Sequence, residues 1–267
     1  MTASDLEELM DFSRRVAAEA GQVVMDVYSR GLEVDYKSDR TPVTEADRRA
    51  EQHLRQRIEQ QYPQHAVEGE ELGVSGPEKA RYRWVLDPVD GTESLVRGVP
   101  LFGTLVGLLH DGEPVLGVAR FPALGQTAWG ARGLGAFLND TQLHASSCAR
   151  LGDALLCMTG MHFTELAGTE TNAVHAHVTP LLNSVHRFRG WSDCFGHILV
   201  ASGRAEIMLD PVVAPWDVAA LVPILTESGA VASTLAGHTS GLLHGGSLLS
   251  AAPGVHAQAL QQLRADA

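Results

Sequence analysis

Two carboxylates three residues apart, at the point where an apolar run meets a Gly-Thr turn, constrain this chain most: Trp84-Val85-Leu86-Asp87-Pro88-Val89-Asp90-Gly91-Thr92. The run reads as a strand that delivers Asp87 and Asp90 at its end. Pro88 stiffens the turn, and Gly91 lets the N–H groups of Gly91 and Thr92 point outward. Hard carboxylate oxygens beside oriented N–H donors suit Mg2+ and a phosphate ester together.

The chain has 267 residues, 45% of them hydrophobic, which allows one large domain or two fused lobes around a sizeable core. A formal net charge of -12 argues against a nucleic-acid or anionic-membrane surface, because such a field repels phosphate polymers. An anionic small substrate therefore needs local positive charge, which bound cations can supply. Cys148, Cys157 and Cys194 are too few and too irregular for a disulfide framework or a zinc site, so a reducing cytoplasm is the expected home. The first residues, MTASDLEELM, lack the regions of a signal peptide, and no apolar run approaches the ~20 residues that span a bilayer. Neither export nor a membrane anchor is expected.

Apolar residues at three- and four-residue steps predict a long amphipathic helix over residues 5–29. A second is predicted over 44–61, with Thr44 as N-cap, Asp47 three residues later, and Tyr62-Pro63 ending it. A short strand is expected at 32–37, and, after a loop over 69–79, strands at 83–86, 101–110, 115–121 and 126–130, with a hairpin turn at Asp111-Gly112. Beyond 145 the pattern turns to helices near 171–183, 193–202, 216–228 and 255–265, interleaved with strands near 154–159, 205–209 and 247–250. That alternation predicts an α/β layer. The expected division is an α+β half over 1–145 and an α/β half over 146–267, sharing one compact body with a cleft between them.

Taken singly, the other acidic signals have bland explanations. Glu68-Gly69-Glu70-Glu71 fits a solvated loop, Asp47 completes a capping box, and Asp217 in Pro215-Trp216-Asp217 complements a helix dipole. In combination they resemble the inositol monophosphatase family. The family pattern Asp-Pro-x-Asp-Gly-Thr is matched in full at Asp87 to Thr92, Gly69-Glu70-Glu71 matches its Gly-Glu-Glu, the segment from Ser38 to Asp47 resembles its Thr-x-x-Asp, and Trp216-Asp217-Val218-Ala219-Ala220 resembles its second signature. Order and rough spacing hold from about residue 12 to 230. Leu95 departs from the usual Phe, at a position expected to pack beneath the motif.

The resemblance implies a five-layer α/β/α/β/α sandwich, a homodimer, sensitivity to Li+, and a Mg2+-dependent phosphomonoesterase. It implies that Glu70, Asp87, Asp90 and Asp217, with the carbonyl of Val89, bind two or three Mg2+ ions. It also implies that Asp47 and Thr92 orient and deprotonate the attacking water, while the N–H groups of Gly91 and Thr92 hold the phosphate. Four carboxylates in one cleft resist ionising together unless divalent cations neutralise them, which agrees with that assignment.

On the substrate side the resemblance points to Asp193 and Asp210. Arg189-Gly190-Trp191-Ser192-Asp193-Cys194-Phe195 is closer to the histidinol-phosphate phosphatases than to the inositol enzymes, as is Pro100 to Val106. Two carboxylates facing the leaving group suit a cationic amine or imidazole. Asp193 also fits a helix cap, His197, four residues on, either a sensor of substrate or a partner of Asp193, and Trp191 either a cover for a substrate ring or a core residue. His175 and His177 read as surface residues. Inositol 1-phosphate is the main alternative substrate, and 3'-phosphoadenosine 5'-phosphate or a catalytically silent metal-binding protein are further ones.

Overall fold

The predicted first helix forms as α1 (Ala3–Arg30), which turns Leu6, Leu9, Phe12, Val16, Val24 and Val27 inward. The computed structural model describes residues 2–30, 34–36, 42–160 and 171–264, with backbone alone for residue 3 and residues 171–177. Within residues 32–37 the strand β1 (Val34–Tyr36) pairs antiparallel with β2 (Pro42–Thr44); residues 32, 33 and 37, and the motif residues 38–41, lie outside the described ones. Thr44 then starts α2 (Glu45–Gln61) with the expected capping box.

An eight-stranded sheet follows. It comprises β3 (Ala66–Gly69), β4 (Gly73–Ser75), β5 (Tyr82–Asp90), β6 (Gly103–His110), β7 (Glu113–Phe121), β8 (Gln126–Ala131), β9 (Gly135–Leu138) and β10 (Thr141–Gln142), in the order β10-β9-β8-β7-β6-β5-β3-β4. Every neighbouring pair is antiparallel except β3 with β5, which run parallel and carry Gly69-Glu70 and Asp87-Asp90 toward the same sheet end. The short helix α3 (Thr92–Val96) leaves β5, with Leu95 fully buried.

The rest of the chain lays down β11 (Leu155–Met158), α4 (Thr171–Ser184), β12 (Arg187–Arg189), α5 (Asp193–Ala201), β13 (Ile207–Asp210), α6 (Pro215–Ala219), α7 (Leu221–Glu227), β14 (Val231–Ser233), β15 (Leu248–Ala251) and α8 (Pro253–Arg264). Its strands form a five-stranded mixed sheet in the order β12-β11-β13-β15-β14.

Strand alternation distributes the core. On β5, Trp84 and Leu86 join the cluster under α1 and α2, while Val85 joins the cluster shared with α5 and α7. On the smaller sheet, Cys157 and Met208 face that same middle cluster, and Leu156, Met158, Ile207 and Leu209 face α4 and α8. The result is the five-layer sandwich: α1 and α2, the large sheet, α5 to α7, the small sheet, then α4 and α8.

Four local expectations are corrected. The helix expected over 216–228 is two helices, because Pro223 has no N–H to give the Ala219 carbonyl and the chain breaks between α6 and α7. The loop expected over 69–79 holds β4, and β3 runs through Gly69, so the acidic segment leaves a strand rather than lying wholly in a loop. β5 continues past Leu86 to Asp90. The strands β9, β10, β12 and β14, of two to four residues, are too short to leave a periodic signature.

Gly107, Gly117 and Gly130 stand opposite one another across β6, β7 and β8. A Cβ on Gly117 would lie 1.9 Å from the Ala220 carbonyl oxygen, and one on Gly130 would lie 2.8 Å from the Cα of Ile224. This bare stripe lets α6 and α7 rest directly on the sheet backbone, which sets the height of Asp217 above β5.

Candidate active site

In a regular strand, residues three apart point to opposite faces. Asp87 and Asp90 escape that rule because the β5–β6 register shifts between them. Thr104 Oγ1 donates to the Pro88 carbonyl at 2.8 Å, and the Val89 N–H donates to Asp87 Oδ1 at 3.0 Å, fixing the irregular stretch. Asp217 arrives from the first turn of α6, where its Oδ2 accepts the Ala214 N–H at 2.8 Å. One carboxylate oxygen from each of Asp87, Asp90 and Asp217 lies within 4.8 Å of the other two, a group that could hold a metal ion. Glu70, one residue past β3, has its N–H on the Leu86 carbonyl at 3.2 Å and lines the same cleft of about 520 Å3.

Asp47 meets this group from the start of α2. Its Oδ2 accepts the Thr44 N–H at 2.8 Å and the Thr44 hydroxyl at 2.6 Å, and its Oδ1 lies 3.2 Å from Thr92 Oγ1. Thr92 Oγ1 also lies 2.9 Å from the Val89 carbonyl oxygen, so its single proton chooses between two acceptors. Gly91 holds φ +82, the left-handed conformation that turns the chain from strand into α3.

The opposite wall is built by α5. The Cys194 N–H donates to Asp90 Oδ2 at 2.5 Å, tying the start of α5 to the end of β5. Asp193 lines the cleft, accepts the Ser192 hydroxyl at 2.8 Å, and brings its Oδ2 to 3.1 Å from where a Cβ of Gly91 would stand. The helix-cap explanation of Asp193 is corrected: the cap position belongs to Ser192, and Asp193 has a left-handed φ of 56°. Asp210 is 8% exposed at the end of β13 and is absent from the cleft lining; its carboxylate is engaged by His197 and Thr159. His197 therefore pairs with Asp210 rather than with Asp193, and Trp191, 40% exposed, is not a core residue. The side chains of His175 and His177 lie outside the described ones.

Burial raises the pKa values of Asp47, Asp87, Asp90, Asp193 and Asp217, and repulsion among neighbouring carboxylates adds to it at the last four. Asp87 and Asp90 are pushed well above the usual range by burial first, then by Glu70 beside Asp87 and by Asp193 beside Asp90. Asp193 and Asp217 are each raised to about 6, by burial and then, among their neighbouring charges, by Asp210. Burial also raises Asp47, against the hydrogen bonds from Thr44 and Thr92. No lysine, arginine or histidine lies among the described residues that line the cleft. All-oxygen donors with excess negative charge fit a hard divalent cation, and a phosphate ester cannot approach such a surface without one.

Sequence reasoning missed what holds the Glu70 turn. Glu51, fully buried on α2, accepts the Glu71 N–H at 2.7 Å and the Leu72 N–H at 3.1 Å, and Arg55 pairs with it at 2.8 Å. A Cβ on Gly69 would collide with that Glu51 carboxylate. The four-residue spacing of Glu51 and Arg55 on a helix was the available signal.

The fold and cleft are those of a known class of phosphatases. The model of the inositol monophosphatase family matches residues 5–266. The chain is 39% identical to a histidinol-phosphatase of Chlorobaculum parvum over 91% of each chain, and 38% identical to that of Mycobacterium tuberculosis over 88% of this chain and 89% of the other. Among solved structures, an inositol monophosphatase from Zymomonas mobilis superposes with a TM-score of 0.85 at 29% identity, covering 98% of this chain and 99% of that one. The extragenic suppressor protein suhB from Bartonella henselae shares the fold, with a TM-score of 0.89 at 24% identity over 97% of this chain and all of the other. The chain belongs to the inositol monophosphatase family. It is a phosphoric monoester hydrolase.

Proposed function

We propose that this phosphatase hydrolyses L-histidinol phosphate with Mg2+, using Glu70, Asp87, Asp90, Asp217 and the Val89 carbonyl as ligands for two or three ions. The observation that carries the substrate is the Asp193 carboxylate, set against Gly91 in the lining of the same cleft. A phosphate held over the Gly91-Thr92 turn leaves its alcohol next to that carboxylate, and a cationic alcohol gains a charge-assisted bond there that a neutral polyol does not. The two histidinol-phosphatase relatives support the same reading.

When bound, divalent ions acidify water and offset charge developing on the phosphate and the leaving oxygen. The chain's residues do the rest. The N–H groups of Gly91 and Thr92 orient the phosphate oxygens. Asp47, with Oδ2 anchored on Thr44, keeps Oδ1 for the Thr92 hydroxyl, so Thr92 hands its proton to Asp47 and accepts one from the attacking water. Li+ inhibits in this reading by competing for a cation position without supplying a second charge.

Phosphate release from L-histidinol phosphate and inositol 1-phosphate, with Mg2+ and with chelator, tests the proposal. The expected result is Mg2+-dependent release with the higher kcat/KM on histidinol phosphate. Preference for inositol 1-phosphate would overturn the substrate, and full activity in chelator would overturn the metal.

A further inference from the structure

We infer that His197 is a positioning residue for the leaving-group side of the cleft: through Asp210 and Thr159 it holds the left-handed turn that sets the Asp193 carboxylate against Gly91. The inference takes from the proposed function only what Asp193 meets; the brace itself is a matter of geometry.

His197 is 1% exposed and bridges two partners, with Nδ1 2.7 Å from Ser250 Oγ and Nε2 3.0 Å from Asp210 Oδ2. The other Asp210 oxygen accepts the Thr159 hydroxyl, and Thr159 Oγ1 accepts the Asp193 N–H at 3.4 Å. A continuous chain thus runs from β15 through α5 and β13 to the first residue of α5. Proton directions follow from the chemistry: a carboxylate only accepts, so Nε2–H and the Thr159 O–H both donate to Asp210, and Thr159 keeps a lone pair for the Asp193 amide.

Both oxygens of Asp210 are therefore engaged within the protein. Asp193 stands toward the cleft with the Ser192 hydroxyl as partner. The two carboxylates divide the work: one meets the leaving group and the other braces it.

Asp193 needs a brace because φ 56° is unfavourable for a residue with a Cβ, and such a conformation persists only where its surroundings over-determine it. The other described non-glycine residues with positive φ, Asp111 and Asn139, sit in the β6–β7 and β9–β10 hairpin turns, which account for them. No hairpin surrounds Asp193. Its restraint comes from consecutive amides pinned in two directions, Asp193 N–H to Thr159 and Cys194 N–H to Asp90. Histidine suits the inner link because its ring nitrogens lie on separate edges and reach Ser250 and Asp210 together.

The test uses the full chain and three variants. His197→Phe fills the space without hydrogen bonds, Ser250→Ala removes only the outer hydroxyl, and His197→Gln restores a donor and an acceptor. Amide hydrogen exchange at Asp193, read by NMR without added metal, should quicken about tenfold in His197→Phe and less in Ser250→Ala, with β5 amides unchanged and His197→Gln nearer wild type. Mg2+ affinity by calorimetry should stay within about twofold, while kcat/KM for histidinol phosphate should fall about tenfold further than for inositol 1-phosphate. Unchanged exchange at Asp193 in both disrupting variants would overturn the brace, as would equal quickening through β5; where the wild type prefers histidinol phosphate, equal losses on both esters would overturn it too. A wild type without preference for histidinol phosphate would overturn the substrate reading alone, and amide exchange would still decide the brace.

Discussion

Asp47 divides its two oxygens between a helix start and a neighbouring hydroxyl, and the division makes a quantitative expectation. Asp47→Asn and Thr92→Ala should each lower kcat by roughly 10²-fold, the scale of a lost general base, with KM changing less. The double variant should be little worse than the poorer single one, as measured by steady-state kinetics, because in the proposed mechanism the two residues act as one unit; multiplicative losses would mean independent roles. Asp87→Asn and Asp217→Asn should abolish turnover yet raise the melting temperature in chelator, since each removes repulsion from a cluster that already resists ionising. At this scale the site was legible wherever its residues are contiguous or fixed by a helix start: Asp87 to Thr92 is one stretch, and Asp47 and Asp217 sit at the third positions of their helices. The left-handed φ of Asp193 and the pairing of His197 with Asp210 were not legible, because one is a backbone dihedral and the other joins residues through the small sheet.

Among elements, the bare glycine stripe under α6 and α7 positions a candidate ligand without touching it. Gly117→Ala should destabilise the protein by about 1–3 kcal/mol in urea unfolding, the usual cost of overpacking, because the Ala220 carbonyl leaves no room for a methyl group. It should also weaken Mg2+ binding in calorimetry by lifting Asp217 from Asp87 and Asp90, whereas Gly152→Ala, in open space and without a positive φ, should leave Mg2+ affinity unchanged. Periodicity revealed α1 and α2 because each buries one face over many turns. The same reasoning joined α6 to α7, although Pro223 marked the break. The stripe has no signal within any one strand, because only register sets Gly107, Gly117 and Gly130 side by side.

For the molecule as a whole, raised carboxylate pKa values link stability to pH and to cations. Asp193 and Asp217 move from 3.8 to about 6 on folding, so between these values the folded chain keeps protons that the unfolded chain has released, and stability falls as pH rises. The melting temperature in chelator should accordingly drop between pH ~4.5 and ~7, and Mg2+ should raise it more at the upper end, where its ligands are ionised. Scanning calorimetry at both pH values, with and without Mg2+, checks this; an equal Mg2+ effect at both would contradict it. The acidic character of the cleft was legible from composition and motif, whereas the strand orders were not, since sheet order depends on pairings between distant segments. One consequence of the shared Asp47 carboxylate reaches the working life of the enzyme. Helix ends fray before domains melt, and fraying of α2's first turn releases both Thr44 and the aspartate that Thr92 depends on. Heat should therefore silence this protein reversibly at temperatures where its circular dichroism is still that of the intact fold, so that its upper operating temperature is set by one turn of helix.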